Sequence, residues 1–229
     1  METVLLHKSA FLYVTSIFRL SSFVFANALL TGITKTFVPF YSSFPEIICI
    51  FGSMEDKTNV IKIQRYHSPC GDLMLGSFED KLCLCDWAAE SHRDIVDRRL
   101  RKVLKAGYEK STSDVILEAM SQLDEYFNGE RTVFEVPLLF VGTEFQKSVW
   151  YKLLEIPYGS TVSYGELAKQ LDLPKAVRAV AAANGANAIS IFAPCHRVIG
   201  SNHSLVGYGG GLPAKKRLLD LELNGKPLL

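Results

Sequence analysis

The sequence predicts an α/β fold in two parts, a small strand-led domain followed by a mainly helical one. Three observations carry this. Residues 54–140 open with runs of period-two alternation and close on a helical pattern. Residues 141–229 show mostly helical spacing. The formal charge also changes sign, from 12 basic and 16 acidic residues in the first part to 10 basic and 6 acidic in the second. A net charge of +1 over the 229 residues hides that asymmetry. The basic half is the one suited to a polyanion.

Residues 1–53 stand apart, with Glu2, Lys8, Arg19, Lys35 and Glu46 as their charges among many Phe, Leu, Ser and Thr. The uncharged run Leu20 to Thr34 is shorter than the ~20 residues that span a bilayer. Glu2 and the faint Ala26-Asn27-Ala28 site make a poor export signal. This apolar extension is expected to lie outside the folded protein, with Met54 as a natural start. The alternating runs Val60–Tyr66 and Leu73–Phe78 flank a turn at Pro69-Cys70-Gly71-Asp72, and Lys81–Trp87 follows as a third strand. Cys83 and Cys85 lie two apart on it. Cys70, His67 and His92 are the nearest further ligand candidates and do not complete a metal set, so core cysteines are expected. Five cysteines in all, with no repeating spacing, exclude a disulfide-stapled secreted fold and fit the cytoplasm. Residues 113–128 carry helical spacing from Ser113-Asp114 to Tyr126-Phe127, ending at Asn128-Gly129.

In the second part, Thr143 precedes a helix over 144–154 with Phe145, Val149 and Trp150 facing a core. Pro157-Tyr158-Gly159 makes a turn. Ser163-Tyr164-Gly165-Glu166 matches a capping box that opens a short helix. Asp172-Leu173-Pro174 ends it and starts another, expected over Lys175–Asn184 with proline in its first turn. Two short helices joined by a tight turn suggest a helix-turn-helix. The second is dominated by alanine, with one long cation, Arg178, followed by Ala179. Reading base edges in the major groove takes several Asn, Gln, Arg or Lys side chains. Small side chains instead let the helix backbone approach closely, which fits sequence-independent contact in the minor groove.

Cys195 ends the apolar run Ile191-Phe192-Ala193-Pro194 and precedes His196-Arg197. Such a run reads as a strand delivering sulfur to a site edge. Neighbouring cations lower a cysteine's pKa and raise the fraction of thiolate, the nucleophilic form. A packing cysteine gains nothing from an adjacent His-Arg pair, so a reactive thiol is preferred over a structural one.

With Pro194-Cys195-His196-Arg197-Val198 following the helix pair, the chain resembles the 6-O-alkylguanine-DNA alkyltransferases, or methylated-DNA–protein-cysteine methyltransferases, from about Val60 to Glu222. Val162-Ser163-Tyr164-Gly165-Glu166-Leu167-Ala168, Val177-Arg178-Ala179-Val180 and Tyr208-Gly209-Gly210-Gly211-Leu212 carry the likeness further. The resemblance implies a ribonuclease-H-like α/β domain over 54–140 and a helix-turn-helix, winged-helix-like alkyl-acceptor domain over 141–229. It implies DNA repair by direct reversal. A methyl or larger alkyl group would pass from 6-O-alkylguanine, and from 4-O-methylthymine, in double-stranded DNA to Cys195, once per molecule. No metal or organic cofactor, membrane or obligate protein partner is implied, and the protein would be a monomer. Cys195 would be the acceptor, with His196 taking its proton through a water, Glu222 orienting His196, and Asn187 bracing the segment. Arg178 would fill the space of an extruded nucleotide, beside Ala179. Tyr164 and the Val198 carbonyl would contact the purine, Tyr208 and Gly209 would line its alkylated oxygen, and Lys215 would stabilise the leaving anion. The family usually has a side chain where this chain has Gly209. The other reading is a non-catalytic alkyltransferase-like protein that binds damage; such proteins replace the acceptor cysteine, which this chain retains.

Overall fold

A computed structural model describes residues 59–88 and 93–224. The expected extension over 1–53, the start at Met54, Cys49 and His92 lie outside the described residues. Strands β1 (Val60–Ser68), β2 (Gly71–Phe78) and β3 (Lys81–Trp87) form an antiparallel meander. Gly71, at φ +130°, closes the first hairpin in a conformation that favours glycine. A register shift at Gly76/Ser77 leaves Cys83 outside the β2–β3 pairing. Both Cys83 and Cys85 are fully buried in the core.

Helix α1 (Arg93–Leu104) then crosses over to β4 (Gly107–Lys110), which pairs parallel to β1 and completes the sheet order β3-β2-β1-β4. Neither element was legible beforehand. In α1 only Val96 and Leu100 are buried, and β4 is four residues long. Helix α2 (Asp114–Phe127) matches its expected span. Ser113 caps it by accepting from the Ile116 N–H, and the chain leaves through Gly129 at φ +76°. Its Phe127 stacks on Tyr66, whose hydroxyl donates to Asp124 at 2.6 Å.

Helix α3 (Glu144–Leu154) begins with a Thr143/Gln146 capping box. Gly142 lets its Trp150 close in, since a Cβ there would fall 2.5 Å from the indole. Ser163 and Glu166 form the second capping box, opening α4 (Tyr164–Gln170) directly after β5 (Val162–Ser163). Helix α5 (Val177–Gly185) starts two residues later than expected. Asp172 turns through φ +59°, and the Ala176 N–H closes a turn onto Leu173 O at 2.8 Å, so Lys175 and Ala176 belong to the turn. The last described elements are β6 (Val198–Ile199), parallel to β5, and α6 (Gly211–Asn224).

What ties the sheet to the helical half is the outer edge of β3. Leu82 exchanges backbone hydrogen bonds with the 137–139 segment, while Cys85 bonds Ala188 and Ser190 at 2.8 and 2.7 Å. An edge strand's unpaired groups need partners, and here they fix the stretch that leads into Cys195. The described residues 59–88 and 93–224 accordingly fall within one compact unit.

Candidate active site

The segment before Cys195 is not the strand its composition suggests. After an isolated bridge between Ile189 and Cys85 the chain turns, with Ile191 at φ +72°, and Cys195–Arg197 form one tight helical turn. Asn187 holds this shape. Its amide donates to Ala193 O at 2.9 Å and its carbonyl accepts from the Ile189 N–H at 3.0 Å. Those side-chain bonds satisfy backbone groups that a strand ladder would otherwise take.

Cys195 is 5 % exposed and lines a cavity of about 20 Å³ with Asn184, Asn187, Ser190, Tyr208 and Gly209. That is room for about one water. Burial pushes its thiol up, partly offset by Asn187, Lys215 and Ser190. The expectation of a thiol lowered by its neighbouring cations is therefore overturned. The reason is geometric, because His196 and Arg197 are both committed to another group, Glu222.

Glu222 is a buried ionic hub. Its Oε1 meets His196 Nε2 at 2.7 Å and accepts from the Tyr126 hydroxyl at 2.8 Å and Arg197 Nη2 at 3.0 Å. Its Oε2 accepts from Arg197 Nε at 2.8 Å and the Gly159 N–H at 3.2 Å. Burial opposes the charge, but the hydrogen bonds from His196 and Arg197, with the charge of the Arg197 guanidinium, prevail and hold the carboxyl at about 2. An ionised carboxylate only accepts, so His196 Nε2 carries the proton. Burial lowers His196 and keeps the ring neutral. Its Nδ1 is left as a buried acceptor with no partner among the described residues. Sequence alone would have left Glu222 a surface charge on its helix, and it assigned nothing to Tyr126 or Gly159. Their convergence is tertiary, since Tyr126 lies in α2 and Glu222 in α6.

Lys215 is fully buried. Its Nζ donates to the carbonyls of Val198 at 2.6 Å, Val206 at 2.9 Å and Gly207 at 3.4 Å. The Val198 carbonyl, expected to face a purine amine, already holds this ammonium. Tyr208 packs edge-on to His196, with ring centroids 6.4 Å apart, and its hydroxyl is buried with no described partner. Half-buried Tyr164 begins α4, close enough to Cys195 to feel its charge. Asn184, not singled out from sequence, reaches Cys195 O at 3.4 Å. Arg178 and Ala179 are not part of this cluster. They stand exposed on α5, and Arg178 makes no ion pair among the described residues. One group therefore surrounds the thiol while another faces outward. No three His, Cys, Asp or Glu side chains group to hold a metal among the described residues.

The description "6-O-methylguanine DNA methyltransferase, ribonuclease-like domain" matches residues 61–140, and "6-O-methylguanine DNA methyltransferase, DNA binding domain" matches 144–224. A methylated-DNA–protein-cysteine methyltransferase of Mycobacterium leprae is 59% identical over 105 residues, 46% of this chain and 64% of that protein. The aligned stretch thus spans just under two thirds of that relative's length. One from Methanosarcina mazei is 54% identical over 111 residues, 48% of this chain and 70% of its own. Among solved structures, Mycobacterium tuberculosis OGT in complex with DNA is similar with a TM-score of 0.62 and 40% identity, covering 73% of this chain and 95% of that one.

Proposed function

The chain belongs to the 6-O-methylguanine DNA methyltransferase family, and from that premise we propose that it repairs DNA by taking an alkyl group from 6-O-alkylguanine onto Cys195. The observation that carries the proposal is the buried His196, whose Nε2 is held on Glu222 at 2.7 Å and whose Nδ1 has no partner among the described residues, next in the chain to the Cys195 thiol that lines a small cavity. Nucleophile, base and orienting carboxylate are the parts that activate a cysteine. A thiol raised by burial needs a base at the moment of attack. His196 Nδ1 takes its proton through a bridging water, and Glu222 stabilises the resulting imidazolium. The sulfur then attacks the alkyl carbon, forming a C–S bond as the C–O bond to guanine breaks. The charge of Lys215, anchored near Cys195, favours both the thiolate and the departing guanine anion. The thioether does not hydrolyse, so each molecule acts once.

Double-stranded DNA meets α5, whose alanines allow close approach in the minor groove. Arg178 fills the gap left by the extruded nucleotide, a step costing a few kcal/mol and less at a damaged pair. Tyr164 contacts the purine, and the Val198 carbonyl, which accepts from Lys215 through one lone pair, offers it the other. A purine far exceeds the present cavity, so the loop bearing Tyr208 and Gly209 yields on binding. Thiolate displacement requires neither a metal nor an organic cofactor. No helix among the described residues is long and apolar enough to cross a membrane, and we assign the protein to the cytoplasm, as a monomer without an obligate protein partner. Residues 54–140 serve as scaffold and 141–229 as the DNA-binding acceptor domain.

Intact mass after incubation with methylated duplex tests this. One CH₂ gained on the Cys195 peptide, lost in Cys195→Ala while DNA binding persists, is expected. Binding without mass gain would instead establish a damage-binding protein, and product beyond one equivalent would point to a hydrolase.

A further inference from the structure

We propose that Trp87, the last residue of β3, is a positioning residue for the transfer: it braces Tyr208 over the Cys195 cavity and thereby makes the N-terminal sheet part of the pocket's closure. Trp87 is 4 % exposed, and its ring meets Tyr208 edge-on with centroids 5.7 Å apart and planes at 71°. The loop backbone lies against the same indole. A Cβ at Gly210 would fall 2.3 to 2.7 Å from Cε2, Cδ2 and Cζ2 of Trp87. On the indole's other flank, a Cβ at Gly71 would lie 3.5 Å away. The ring is therefore clasped between the β1–β2 turn and the loop.

The rest of the loop is held asymmetrically. Before Tyr208, the Lys215 ammonium grips the carbonyls of Val206 and Gly207. After it, the chain is held by the packing of Gly210 on Trp87 and a turn from the Gly211 N–H to Tyr208 O at 3.0 Å. Gly207 at φ +43° and Gly211 at φ +78° bracket Tyr208 in backbone conformations that glycine adopts freely, so the residue between them can swing. The brace is what keeps it over the thiol. Neither Trp87 Nε1 nor the Tyr208 hydroxyl makes a well-formed hydrogen bond among the described residues, although the indole N–H lies near enough to the phenol to ease its burial-raised pKa. Trp87 therefore acts mainly as an aromatic wall, and Trp87→Phe separates that wall from the weak N–H contact.

The inference rests on the alkyl-transfer reading for its consequence, and the test separates the two. Using the full chain, peptide-resolved iodoacetamide labelling of Cys195 is measured without DNA. Transfer rates are measured on methylated and benzylated duplexes, with affinity for unmodified duplex as the control. In Trp87→Ala, Cys195 labelling should rise roughly 10-fold, and the benzyl-to-methyl rate ratio should rise by a similar factor, the scale of a reshaped apolar pocket. Affinity for unmodified duplex should not change, and Trp87→Phe should restore both readouts. Should Trp87→Ala not fold, Gly210→Ala carries the test, because its added methyl pushes loop and indole apart. A fall in melting temperature with labelling and rate ratio both within about twofold of wild type would overturn the brace. A wild-type protein that transfers nothing would sink the alkyl-transfer reading, and the labelling rate alone would then decide for or against the brace.

Discussion

Replacing Glu222 with Gln tests the charge at the centre of the site. The carboxyl sits at about 2 in the folded protein against an ordinary value of 4.5. That difference corresponds to roughly 3 kcal/mol of stability. Because the folded value is depressed, this stability is fully present above about pH 4.5 and is lost as pH falls toward 2. The side chain is fully enclosed, so solvent screening does not reduce it. Glutamine would leave the Arg197 guanidinium, 6 % exposed, without its counter-charge. Breaking a buried pair from one side costs about 3–5 kcal/mol, which agrees with the figure from the carboxyl. For a fold of this size each kcal/mol moves the melting temperature by roughly 2–4 °C, so E222Q should melt roughly 10 °C lower near neutral pH. Its stability should also lose the Glu222 contribution to the acid-side slope expected of the wild type between about pH 4.5 and 2. Circular dichroism melts across that range read both quantities. Measured at a temperature where both proteins are folded, methyl transfer should fall by roughly 10²–10⁴, since the imidazolium loses its partner. A melting temperature within about 3 °C of wild type, or parallel acid profiles, would refute the hub.

Asn187→Ala strands the Ile189 N–H and the Ala193 carbonyl inside the protein, at about 1–3 kcal/mol each. A urea midpoint that moves by the equivalent of less than ~1 kcal/mol would show that the segment does not depend on Asn187. Arg178→Ala removes an exposed side chain, so stability should change by no more than about 0.5 kcal/mol. Transfer from duplex DNA should slow markedly while reaction with the free alkylated base does not; equal losses on both would remove Arg178 from base extrusion. Arg99→Met keeps an apolar stem but deletes the guanidinium that reaches Ala186 O at 2.8 Å and lies over Trp150. A cation at the end of α5 contributes up to about 2 kcal/mol, and unfolding of the variant by denaturant should read a loss of that order.

Local chemistry explains which elements were readable. The three strands show period-two alternation bounded by turn residues, and Ser113, Thr143 and Ser163 cap helices whose starts need no tertiary information. Helix α1 and strand β4 were missed because most of α1 faces water and β4 exists by pairing with β1. Cys195 stands out in the sequence because its neighbours are unusual for a packing residue. The strand expected before it failed because Asn187 and the edge of β3 offer the backbone better partners than a ladder does.

By itself the sequence determined most of the elements, singled out Cys195 and the alanine-rich helix around Arg178, and pointed to the family to which they belong. These are properties of neighbours along the chain, carried by side-chain periodicity, capping and short motifs. Only the tertiary structure decided the ionic state of the site. It turned His196 and Arg197 toward Glu222 instead of the thiol, committed Lys215 to three carbonyls, and brought Trp87 from the first domain against Tyr208. Burial and the partners that converge there from distant segments set those charges and contacts, and no spacing within one segment encodes them.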